Sequence, residues 1–271
     1  MNILVAALII AGACTLTCGL LVVVHQYGKR DALLADTTRG AGVYGVVGTS
    51  FAVLLAFVVL IAFQSYGEAR EGAEQEADAV LELFRSADFF PAERAEIQQD
   101  LLCYGRAVVH HDWPAMSKQR RSRTVDHWSL ALQDAYRALP VPTLKKEAVF
   151  GNMLDLRDDR VNARRQRLTQ GTPIITTPVW FFLGIGALLN IAFVLVFLDR
   201  RGESLLVQCI LMASVTAVVV AGLLLVWFLD HPFEDGDGSV KPIEMERTIS
   251  ALHEERPELQ PPCDREGTPL S

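Results

Sequence analysis

Four stretches of this 271-residue chain contain no Asp, Glu, Lys, Arg or His: residues 3–24, 43–63, 179–198 and 205–229. That absence excludes several kinds of membrane machine. Proton-coupled carriers and voltage sensors need ionisable side chains at membrane depth. An enzyme working there needs a general base or metal ligands. Outside the stretches, His110, His111 and His127 have no nucleophile or ligand arrangement around them, and neighbouring side chains on a helix diverge by about 100°. The chain reads as non-enzymatic, with no catalytic residue, metal or cofactor.

Cysteine is scarce too. Five are present, an odd number with no repeated spacing, which excludes a disulfide framework and a zinc site. Cys103 and Cys263 stand isolated in polar sequence. Cys14 and Cys18, one helical turn apart, read as small packing residues, like Cys209. The start lacks a basic segment, and its apolar run exceeds the roughly 7–15 residues of a cleaved leader. Apolar helix continues after the Ala11-Gly12-Ala13-Cys14 box, where a lipidated chain would turn polar. The first stretch is therefore expected to stay as a span.

What is present is apolar length. The chain is 51% hydrophobic, and the four uncharged stretches hold 22, 21, 20 and 25 residues. At about 1.5 Å per residue each crosses a hydrocarbon core of roughly 30 Å. The expected fold is all-α: spans one and two in residues 1–64, a helical extramembrane region over 65–177, a hairpin of spans three and four over 178–233, and a disordered acidic tail over 234–271. Four spans put both termini and the long central loop on one side of a cell membrane, and loops 25–42 and 199–204 on the other. Asp199-Arg200-Arg201-Gly202 is expected as the tight turn of the hairpin. Lys29, Arg30, Arg39, Arg200 and Arg201 on the short-loop side face Arg70, Arg160, Arg164, Arg165, Arg167 and Lys241 near span ends on the other. The positive-inside rule gives no orientation from that near-tie.

Charge is segregated. Residues 65–100 carry ten acids against three bases, residues 101–172 seven against thirteen, and the tail from Asp230 eleven against four. The two halves of the loop should attract each other as antiparallel helices. The basic half thus has its acidic partner on its own chain, which argues against nucleic acid. Arg120-Arg121-Ser122-Arg123 reads as a solvated loop.

Within the loop, Tyr66, Ala69, Ala73, Ala77, Val80 and Phe84 recur at helical spacing, so span two should leave the bilayer as one long helix. Pro91 is expected to start the next helix, with Ile97, Leu101, Tyr104 and Val108 on its apolar face, and Trp113-Pro114 to end it. A short helix over 125–139 stops before Pro140-Val141-Pro142. Thr143 caps a last helix through Leu168, and Thr177-Pro178 opens span three. The tail from Asp235 is acidic, Pro-containing and aromatic-free, the composition of a disordered segment.

Helices in lipid associate through close approach of small residues. Gly48, Ala52 and Ala56 form such a seam on span two, and Cys209, Ala213, Ala217 and Ala221 on span four. Ala11, Thr15, Cys18 and Gly19 share a face of span one. About 160° round from the span-two seam, at 100° per residue, lie Ser50, Leu54, Phe57, Ile61 and Gln64. This stripe faces lipid or a pathway shared with other copies; polar residues flanking an apolar constriction can gate by dewetting. Asn190, the strongly polar residue near the middle of span three, makes an interhelical hydrogen bond or faces an ion.

Several short motifs, in order, resemble a family: Leu55-Ala56-Phe57 in span two, Glu76-Ala77 beyond it, Arg167-Leu168 before span three, Trp180 near its start, and Asp230-His231-Pro232-Phe233 after span four. From about Gly40 to Phe233 the chain resembles the bestrophin-like group of bacterial four-span integral membrane proteins, largely a domain of unknown function. The resemblance implies likeness to bestrophins, pentameric anion channels lined by their second helix. By that likeness the chain is a homo-oligomeric ion channel, Phe57 and its stripe line the pore, and the long loop is cytoplasmic. No acidic cluster like the calcium clasp of animal bestrophins is found. In the Asp230 motif, Pro232 stops the helix and Phe233 folds back at the interface; the alternative is a contact with the loop helices. The alternative function is a membrane-anchored scaffold or regulator whose helical loop binds a protein partner. In either case the lipid bilayer surrounds the spans.

Overall fold

The computed structural model describes residues 2–27, 37–141, 143–196 and 204–270. The expected hairpin turn at Asp199–Gly202 and residues 28–36 of loop 25–42 lie outside them. The described residues form helices: α1 (Ile3–Tyr27), α2 (Thr37–Ser86), α3 (Arg94–Ala107), α4 (Trp113–Met116), α5 (Arg123–Arg137), α6 (Leu144–Gln170), α7 (Thr177–Val196), α8 (Leu205–Leu229) and α9 (Ile243–Glu255). The fold is all-α, with no strand among the described residues. Four helices, α1, α2, α7 and α8, are long and apolar enough to cross a membrane.

The chain divides into two compact units: residues 1–65 with 173–231 and 235–237, and residues 66–172 with 232–234 and 238–271. In the first, α1 packs on α8 through small groups. The thiols of Cys14 and Cys18 approach the carbonyls of Ala213 (3.4 Å) and Cys209 (3.5 Å), and the Thr216 hydroxyl donates to Thr17 Oγ1 (3.1 Å). Phe51 and Val58 of α2 meet Leu183 and Ala187 of α7 and Val219 and Val226 of α8 in a second core. Glycine permits that approach: a Cβ on Gly186 would lie 2.4 Å from the Phe51 ring, and one on Gly222 2.7 Å from Leu55. Close backbone approach substitutes for the hydrophobic drive that lipid removes.

In the second unit, Val80, Leu83 and Phe84 of α2 pack with Ile97, Leu101 and Tyr104 of α3, Trp128 and Leu132 of α5 and Met153 of α6. α2 is unbroken for 50 residues, carrying span two out into this unit. Ser122 caps α5 through Thr124 N–H, and Thr143 caps α6 through Lys146 N–H. Pro91 sits in a turn, and α3 starts three residues later, at Arg94. A π-helical turn over Val108–Asp112 links α3 to α4.

Two expectations are corrected here. The tail taken as disordered is folded: α9 buries Met245, Thr248 and Leu252, one face at three- and four-residue spacing. Average composition hid that short stripe. Cys103 and Cys263 are not isolated but disulfide-bonded, across a separation of 160 residues that no local spacing reveals. The Trp128 indole N–H donates to Gly267 O (2.7 Å) and holds the last turn beside the bond.

Candidate functional site

The spanning part of α2 divides into a packed face and a bare one. Phe51, Val58 and Ala62 are buried, while Ser50, Leu54, Phe57, Ile61 and Gln64 are all uncovered by the rest of the chain. Phe57 is 61% exposed. The stripe is thus intact on one helix face, with an apolar middle and polar ends.

Asn190 does not join it. The side chain is 5% exposed, and its amide donates to Gly186 O of its own helix (2.8 Å). Its Oδ1 lies 3.4 Å from where a Gly48 Cβ would be, so absence of a side chain at 48 makes room for it. The amide N–H thus bonds within its own helix, to the turn before it. Ala52 and Ala56, expected in a seam with Gly48, are both exposed within the chain, and only Gly48 is half-buried; larger residues beside the alanines, Phe51 and Leu55, take the packing. On α8, Cys209, Ala213 and Ala217 are half-buried, and Ala221 is exposed.

The second unit contains a buried charge network. Arg167 Nε donates to Glu76 Oε2 (2.6 Å) and its Nη2 to Asp112 Oδ2 (3.0 Å), all three side chains fully buried. Arg164 donates to Asp112 Oδ2 (3.0 Å) and to Asp126 (2.8 Å). The Tyr104 hydroxyl donates to Glu76 Oε1 (2.5 Å), and Ser122 N–H to Asp112 Oδ1 (3.0 Å). The Arg167 guanidinium also stacks 4.6 Å from the Trp113 ring centroid. Gly72 lets α2 and α6 close up at this level: a Cβ there would lie 3.0 Å from Ala163 O. One of these ion pairs, Glu76–Arg167, joins the acidic half of the loop to the basic half, while Asp112 and Asp126 pair with arginines of their own half.

The electrostatics follow from burial opposed by charge. Burial alone would raise the Asp112 carboxyl, but the Arg167 and Arg164 guanidiniums outweigh it and hold it below the usual carboxylate range. Burial works against the Arg167 charge as well, and Glu76 and Asp112 overcome it, so its pKa is raised. The Tyr104 phenol is pushed up by burial and by Glu76 beside it. Two cations, Arg164 and Arg167, thus face two buried acidic side chains, Glu76 and Asp112.

The remaining motif residues have structural roles. Asp230 Oδ1 accepts from the backbone N–H groups of Ile174 (2.8 Å) and Ile175 (3.1 Å), holding the chain just before α7. His231 stacks on Trp227 at 4.5 Å. Phe233 meets Trp113 edge-on at 5.8 Å, and Pro232 O accepts from Val240 N–H (2.8 Å). Trp180 and Leu55 border the apolar core of the first unit, and Leu168 borders the cluster holding Phe233.

Sequence reasoning missed Asp112 as the hub. It sits at the end of the π-helical turn, next to His110 and His111, where no helical spacing marks it as inward-facing. A usable signal was Arg157, Arg160, Arg164 and Arg167, an arginine row at three- and four-residue spacing along α6.

The sequence profile described as Bestrophin-like domain matches residues 11–245. Among solved structures, a point variant of a bacterial bestrophin homologue from Klebsiella pneumoniae aligns with TM-score 0.71 at 12% identity, over 90% of this chain and 98% of that one. A second point variant of a bestrophin homologue from the same organism gives 0.69 at 15% identity, over 90% and 98%. A point variant described only as a membrane protein gives 0.71 at 13% identity, over 90% and 97%. At such identities the likeness is one of fold. No curated protein matches by sequence.

Proposed function

The chain belongs to the bestrophin-like family, and on that premise we propose that this integral membrane protein works as a homo-oligomeric ion channel, conducting anions, with α2 lining the pathway. The observation that carries the reading is the bare α2 stripe: Leu54, Phe57 and Ile61 between Ser50 and Gln64, left uncovered while the neighbouring face of Phe51, Val58 and Ala62 is packed. A ring of such stripes makes an apolar neck with polar mouths, which passes ions when wetted and blocks them when dry. The small side chains of Ala52 and Ala56 suit close approach of a neighbouring copy. The alternative, a membrane-anchored scaffold or regulator whose helical loop binds a protein partner, keeps the charge-segregated loop but loses the disordered tail as support, because the tail is folded.

The test is purified protein in liposomes. Expected are oligomers in detergent and tracer-anion flux, with Phe57→Ala changing the flux at least several-fold. Monomers with silent liposomes contradict the proposal.

Orientation is part of the same reading. A disulfide persists in an oxidising compartment, and Cys103–Cys263 lies in the second unit. We therefore place that unit outside the cytoplasm, reversing the side implied by likeness to bestrophins. Lys118→Cys, on an exposed turn, should react with a membrane-impermeant maleimide on intact cells. Labelling only after lysis would restore the cytoplasmic assignment.

A further inference from the structure

The second unit holds an open cavity of about 700 Å³ with a cationic wall. Arg120, Arg121, Arg157, Arg160, Arg164 and Arg165 line it, against a single carboxylate, Asp126. Arg164 is neutralised by Asp112 and Asp126, and Arg157 by Asp158. Arg120, Arg121, Arg160 and Arg165 have no acidic partner among the described residues.

Arg160 carries the argument. It is 2% exposed, its guanidinium lies 4.3 Å from the Tyr104 ring centroid, and its Nε has no hydrogen-bond partner among the described residues. A buried cation without a counter-ion is costly, and stacking on a ring offsets only part of that cost. An anion in the cavity would supply the missing partner. α6 sets the row Arg157, Arg160 and Arg164 by helical spacing, and the turn at Gln119, with φ of 55°, brings Arg120 and Arg121 to the rim.

We propose that this cavity binds a small phosphate-bearing molecule, held by Arg160 and Arg165 with Arg120 and Arg121 at the mouth. Phosphate fits better than a lone carboxylate. It offers up to two charges and three acceptor oxygens to planar guanidinium forks, whereas one carboxylate leaves most of the unpaired cations uncompensated. Leu130, Val161 and Leu168 provide an apolar wall for the rest of the ligand, and Ser129 and Gln133 provide neutral hydrogen-bonding groups. The site lies wholly within the second unit and does not depend on the channel reading. The phosphate comes from a free solute or from a lipid headgroup.

Full-length protein in uncharged maltoside detergent at fixed salt is titrated calorimetrically with inorganic pyrophosphate, and in a parallel arm with short-chain phosphatidic acid, whose headgroup is a phosphomonoester. Saturable one-to-one binding is expected in at least one arm. Binding of pyrophosphate alone identifies a free solute, and binding of the lipid alone identifies a headgroup. Arg160→Gln and Arg165→Gln should each weaken binding about tenfold, while Arg247→Gln, an exposed residue paired on α9, leaves it unchanged. If Arg160→Gln does not fold, Arg165→Gln and Arg120→Gln, at exposed positions, carry the comparison. No binding in either arm, or equal loss in Arg247→Gln, overturns the proposal.

Discussion

Glu76 and Arg167 come from opposite ends of the extramembrane loop and are both fully buried. Their pairing gives the short motifs that contain them a physical reason. Taking one away leaves a buried charge uncompensated, which costs about 3–5 kcal/mol. Arg167→Ala should therefore lower the unfolding midpoint of the second unit sharply, measured by thermal denaturation in detergent. A loss no larger than that of exposed Arg70→Ala would show that water reaches the pair. Asp100 behaves in the opposite sense from Asp112. Burial, reinforced by Glu96, pushes its carboxyl from 3.8 up to about 6. A folded-state pKa that is raised favours the protonated form, so its stabilising contribution is full below pH 3.8 and lost as pH rises through about 6. Asp100→Asn should remove that loss, leaving the variant more stable than the parent at pH 7.5 and nearly equal near pH 4. Equal pH profiles would place Asp100 in water. The charges of both residues were visible in the sequence. Their burial was not, since it depends on which helices meet.

At the level of elements, the spans were legible because lipid imposes a simple length and polarity code. The caps at Thr143 and Ser122 and the long α2 followed local rules as well, Thr143 and α2 from the pattern alone. The last segment failed that approach. Met245, Thr248 and Leu252 make a stripe too short to stand out in acidic sequence, and tertiary contacts order it. Gly267 shows how tightly it is seated: its φ is +84°, and a Cβ would lie 2.3 Å from Ala107 N. Gly267→Ala combines left-handed backbone strain with a clash, so a loss of about 2–4 kcal/mol is expected. Limited proteolysis should then cut near α9 first. Unchanged protease resistance would mean that the last turn detaches freely. On α2, the periodicity correctly grouped the stripe from Ser50 to Gln64 on one face. It misjudged the packed side, because bulky Phe51 and Leu55 fill pockets opened by glycines on α7 and α8. A single-helix projection carries no information about holes in its neighbours.

At the scale of the whole molecule, the family assignment rests on a match over residues 11–245 together with the shared fold. On the proposed function, assembly is the step that would give the bare face of α2 a purpose. A copy alone leaves Phe57 facing lipid, where it is an ordinary apolar residue. A ring of copies turns it into a neck. Oxidative cross-linking in native membranes distinguishes these directly. Phe57→Cys, with Cys14, Cys18 and Cys209 replaced by Ser, should give covalent dimers far more readily than Val218→Cys, placed on the 72% exposed face of α8. If Phe57→Cys stays monomeric, or cross-links no better than Val218→Cys, α2 does not line a shared pathway.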